Sequence, residues 1–116
     1  MALVENKQSE AMQEQSNKDE IYYRVYPEMR RRIDYKNRTV HFEVSLPGVK
    51  KEHIELKTLP TWFYLSGSRG HMQYNANQSF GVEIVPEKTE AKYDHGLLHI
   101  TAYMRDPLDD AKEIEL

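Results

Sequence analysis

No cysteine occurs in the chain, which removes disulfides, thiol catalysis and cysteine-ligated zinc together and agrees with a reducing compartment. No apolar run approaches the length of a membrane span, and the opening Met-Ala-Leu-Val-Glu-Asn-Lys holds no apolar stretch of signal-peptide length. A cytoplasmic protein without membrane contact is expected. Charge of one sign is not in large excess: 16 basic against 19 acidic residues leave a net charge of -3. That balance offers no global field to nucleic acid. Catalytic patterning is missing as well. Ser66, Ser68 and Asp94 fall in expected turns with no motif around them, and no nucleophile stands beside a base, so no enzyme is expected. Five histidines are present, yet His95 and His99, four apart in a hairpin, do not converge as they would on a helix. No metal and no other cofactor are expected. Asn37-Arg38-Thr39 and Asn77-Gln78-Ser79 fit the glycosylation sequon as chance matches.

The 116 residues suit one domain, and 39% hydrophobic content supports a modest core. Residues 1–20 are mostly Glu, Gln, Asn, Ser and Lys, too polar to offset the entropy of ordering. They read as a disordered arm, with at most a frayed helix around 9–15. Residues 21–104 read as a β-sandwich and 105–116 as a tail.

The sandwich is organised around Ala91-Lys-Tyr-Asp-His-Gly-Leu-Leu-His-Ile-Thr101. Asp94, His95 and Gly96 form a tight turn between two strands, glycine supplying positive φ. Flanking residues split into two alternating sets, Ala91/Tyr93 on one side and Leu98/Ile100/Ala102 on the other. Upstream, Ile21 to Tyr26 are β-formers, with Tyr22, Tyr23 and Tyr26 read as packing residues of a first strand. Met29, Arg31, Ile33 and Tyr35 share one face of a strand that pairs with Thr39 to Leu46, where Val40, Phe42, Val44 and Leu46 point inward and His41, Glu43 and Ser45 outward. Arg31, on the apolar side, needs a carboxylate or carbonyl partner, while Arg30-Arg31-Arg32 as a whole reads as a solvated strand face. Pro47-Gly48 ends the strand. Lys50 to His53 form a polar connection of one helical turn, and Ile54 and Leu56 open the next strand. Trp62 to Leu65, apolar on both faces, suits a central strand. Gly67 to Asn77 reads as a loop, Phe80 to Val85 as a strand, and Asp106 to Lys112 as an unfolded acidic tether.

Three places resemble one family. Leu46-Pro47-Gly48-Val49, followed by Lys51 and Ile54, is similar to the strand-end motif of the α-crystallin domain of small heat-shock proteins. Ala91, with His95-Gly96-Leu97-Leu98, resembles that family's Ala and Gly-x-Leu hairpin, and Ile114-x-Leu116 its C-terminal I-x-I anchor. The resemblance covers residues 25–116. Two departures stand out. The 67–79 loop is short beside the bacterial and plant type, whose loop carries a strand swapped into the dimer partner, and no Arg lies between Phe80 and Val85.

The resemblance implies an immunoglobulin-like antiparallel β-sandwich. It also implies an ATP-independent chaperone that binds unfolding client proteins and self-associates as a dimer or higher oligomer through edge strands and tail. Ile114 and Leu116 would be the anchor. Ile54, Leu56, Ala91 and Tyr93 would line the groove receiving it, between edges at 54–57 and 89–93. Leu97, Leu98 and Ile100 would be core. The alternatives are a CS-domain-type co-chaperone and a structural assembly module on the same sandwich.

Overall fold

A computed structural model describes residues 20–116, so the expected arm, with its short helix, lies outside the described residues except for Glu20. Eight strands run through them: β1 Tyr23–Val25, β2 Met29–Asp34, β3 Thr39–Ser45, β4 Ile54–Thr58, β5 Trp62–Arg69, β6 Met72–Ser79, β7 Glu90–Asp94 and β8 Leu97–Tyr103. Single 3-10 turns occur at Lys51–His53, Pro86–Lys88 and Pro107–Asp110. The strands form two sheets, ordered β1-β6-β5-β4 and β2-β3-β8-β7.

Alternation builds the sandwich. Val40, Phe42 and Val44 of β3 bury one face of the second sheet, and Leu98, Ile100 and Ala102 of β8 stand opposite them in register. Phe63 and Leu65 of β5 and Tyr74 and Ala76 of β6 supply the facing layer. Phe42, Phe63 and Phe80 meet at the centre, with ring centroids 5.1, 5.3 and 6.0 Å apart and tilted or edge-on contacts. β5 is a central strand, as its composition predicts, with Trp62 at its start still partly exposed.

Several expectations need correction. The loop placed over 67–77 is strand: β5 continues to Arg69, turns at Gly70-His71, and pairs with β6 through all eight of its residues. Ser66 and Ser68 therefore lie in β5, not in a turn. The strand placed at Phe80 to Val85 is a bend with one isolated bridge, Ile84 to Met104. Phe80 and Ile84 are fully buried there, but Gly81 at φ 83° breaks any extended run between them. The Asp106 to Lys112 tether contains the Pro107–Asp110 turn, capped by the Asp106 carboxylate on Leu108 N–H and tied by an Arg105–Asp110 ion pair. Leu97 is 37% exposed rather than core, because its neighbour Leu98 takes the inward position. Ala91 and Tyr93 sit opposite Ile100 and Leu98, so the two hairpin sets share one face. Tyr22, Tyr23 and Tyr26 are 61, 64 and 53% exposed and outside the core, Tyr22 stacking on the His71 ring at the surface. Their strand is an edge, and β1 runs parallel to β6, pairing only with Met72 to Tyr74 in an otherwise antiparallel fold.

Arg31 finds the carbonyl partner its position demands. Its Nε and Nη2 donate to the Phe80 carbonyl at 3.1 and 2.9 Å, closing the rim where β2 meets the 80–85 bend. Gly81 lies under the same guanidinium, where a Cβ would collide with Nη2. Arg31→Met is expected to lower unfolding free energy by about 1 kcal/mol, the worth of a partly screened charged hydrogen bond. Urea denaturation of the two forms checks it; an unchanged midpoint would contradict the bond's role.

A candidate binding groove between two sheet edges

β4 and β7 are the terminal strands of their sheets on the same side of the sandwich. Between them runs a groove of about 190 Å³ lined by Lys51, Ile54, Leu56, Ala91, Tyr93 and Leu98. The structure brings Ile54, Leu56, Ala91 and Tyr93 together along it. The lining follows from strand period: Ile54 and Leu56 face one way along β4, Ala91 and Tyr93 along β7. Leu98, buried, and Lys51, from the 3-10 turn before β4, are lining residues that periodicity alone did not single out.

The groove is held open by a corner in which two distant motifs meet. Leu46 N–H donates to the Gly96 carbonyl at 2.7 Å, and Val49 N–H closes a turn onto the Leu46 carbonyl at 3.2 Å. The Tyr93 hydroxyl lies 2.9 Å from the Leu46 carbonyl and 2.7 Å from that of Val49, in position to donate to either. Thus the Pro47-Gly48 bend is pinned to the β7–β8 hairpin. That hairpin turns through only two residues, His95 at φ 49° and Gly96 at φ 80°, the positive pair of a type I′ turn. Pro47 Cα lies 3.5 Å from where a Gly96 Cβ would stand, so the bend packs directly on the turn.

Burial raises the Tyr93 hydroxyl above its usual pKa near 10. The folded chain therefore keeps this proton to higher pH than the unfolded chain. The associated stability is complete below about pH 10 and falls as pH rises through the raised value. Tyr93→Phe is expected to cost about 1 kcal/mol at neutral pH, from the lost hydrogen bond, and the deficit should shrink above about pH 10. Denaturation midpoints of both forms between neutral and alkaline pH check it; a pH-independent gap would refute the coupling.

Ile114 and Leu116 are exposed on the tail and do not line this chain's own groove. The histidines are dispersed. His95 sits in the turn beside Asp94 at 2.9 Å, while His41 and His99 stand on the outer face of their sheet.

No protein-family model matches the chain, and no curated protein matches its sequence. Solved structures do match. Heat shock protein 16.0 from Schizosaccharomyces pombe is 21% identical, covering 79% of this chain and 98% of its own, with a TM-score of 0.62. A small heat-shock protein from Xylella fastidiosa is 14% identical over 78% of this chain and 94% of its own, also with a TM-score of 0.62. HSP18.5 from E. histolytica is 14% identical over 82% of this chain and 99% of its own, with a TM-score of 0.60. The chain has the β-sandwich fold found in small heat-shock proteins.

Proposed function

We propose that this protein is an ATP-independent chaperone of the small heat-shock type, working in the cytoplasm without catalysis or cofactor. It binds apolar segments of unfolding proteins and keeps them from aggregating. The observation that carries this reading is the single groove formed by Ile54 and Leu56 from one sheet edge and Ala91 and Tyr93 from the other. An extended segment entering it can hydrogen-bond to either bare edge while its alternate side chains fill the apolar lining. Ile114-x-Leu116 has that alternation, and its side chains are exposed. In this reading the tail of a neighbouring copy occupies the groove, and its release exposes the edges to clients. In this reading residues 21–104 serve as the sandwich and 105–116 as the detachable tail.

A heat-labile enzyme warmed with equimolar protein and no nucleotide is expected to scatter much less light than the enzyme alone. Scattering unchanged at roughly tenfold excess would overturn the holding function and leave a docking or assembly module.

A further inference from the structure

The groove leaves unused the charge on the outer face of the β2-β3-β8-β7 sheet. With Met29, Arg31 and Ile33 turned toward the sandwich, strand alternation puts Arg30 and Arg32 on that face. Register then builds two cross-strand rows, Arg30–Glu43–His99–Lys92 and Arg32–His41–Thr101–Glu90. A depression of about 410 Å³ lies over them, its lining including Arg30, Arg31 and Arg32, His41, His99 and Thr101, with Glu43 as its carboxylate. Glu43 approaches His99 at 3.7 Å, and Glu90 meets the Tyr103 hydroxyl at 3.4 Å. Asp34 and Asp94, at the ends of the face, are engaged by Asn37 and His95. Arg30, Arg32 and Lys92 enter no ion pair among the described residues.

We propose that this face takes the acidic stretch 109–115 of a second copy's tail, guiding Ile114 and Leu116 into the groove. The inference rests on the groove reading above. Charge selects the occupant: residues 109–115 carry four carboxylates against one lysine, Lys112, and Asp109, Glu113 and Glu115 make no ion pair among the described residues, whereas Asp110 is held by Arg105. Reach allows it. Three strand spacings separate β7 from β2, about 14 Å; with Asp109 and Asp110 in their 3-10 turn and the chain extended beyond it, Asp109 to Ile114 covers about 15 Å. The other face beside the groove offers less: Arg24, on the far edge strand, is its one cation outside an ion pair among the described residues, and its Nε is engaged by the Gln73 side-chain oxygen at 3.2 Å. There Glu55 and Lys57 pair with each other at 3.3 Å, and the positions across from them are Ser66, Tyr64, Asn75 and Asn77. Contacts of this exposed kind set register and salt dependence more than bulk affinity.

A labelled peptide of residues 105–116 is titrated into the full chain carrying Ile114→Ala and Leu116→Ala, so that its own tails do not compete. Adding Arg30→Gln and Arg32→Gln is expected to weaken binding about three- to tenfold. A peptide with Asp109→Asn and Glu113→Gln should lose a similar factor, the two losses should not multiply, and both should fade at about 0.5 M salt. Tight binding indifferent to the arginine changes and to salt would overturn this inference while leaving the groove intact. Failure of the native peptide to bind at all would overturn both. Should the arginine variant not fold, the salt dependence of the native pair decides alone.

Discussion

Removal of residues 113–116 is expected to lower the solution mass at every concentration, because on the proposed function each subunit then loses the plug for its neighbour's groove. Burying one isoleucine and one leucine is worth about 3 to 6 kcal/mol gross. Ordering the tail offsets part of that, and every subunit of the assembly loses the same contact. Light scattering behind a sizing column reads the effect directly. A polar substitution in the groove, Leu56→Ser, should reproduce it without touching the tail, since Leu56 lines the receiving side. An unchanged mass in both would remove the tail from the assembly mechanism. If the tail also masks the client surface, the truncated chain should suppress client aggregation at least as well, mole for mole.

Phe63→Ala is expected to cost about 3 to 5 kcal/mol, the typical price of emptying a buried aromatic site. Phe63 is fully buried and packs on the rings of both Phe42 and Phe80, so neighbours from two other segments lose contacts at once. Against a total stability of about 5 to 15 kcal/mol, such a loss leaves a marginal fold. Because β5 also pairs with β4 along residues 54–58, the groove edge should loosen with it. Urea denaturation gives the magnitude, and the tail peptide's affinity shows whether the edge survives. A loss below about 1 kcal/mol would mean that the three-ring centre does not hold the two sheets together. Replacing Tyr23, exposed on β1, should by contrast fall within about 0.5 kcal/mol.

Much of this was readable from residue order, and the errors have identifiable causes. Thr39 to Leu46 alternates cleanly because one face meets the core and the other meets water. β6 hid because its outward residues Gln73, Asn75 and Asn77 look like loop composition, leaving Met72, Tyr74 and Ala76 as the only signal. Phe80 to Val85 misled in the opposite direction. Its alternation comes from a bend that drops Phe80 and Ile84 into the core, not from an extended strand. The exposed tyrosines were misjudged because β-propensity reports fitness for a pleated surface, without saying whether anything covers it.

Local chemistry therefore settled the hairpin at 90–103, the inward set on β3, the bend at Pro47-Gly48 and the apolar pair at the tail's end. Each depends only on side-chain period or on a turn's demand for positive φ. Which strands lie at the sheet margins, how Tyr93 ties the 46–49 bend to the groove, and the meeting of residues 54–56 with 91–93 all belong to the folded molecule. Those facts depend on contacts between segments some 35 to 50 positions apart, and no short-range pattern encodes which distant partner a strand will choose.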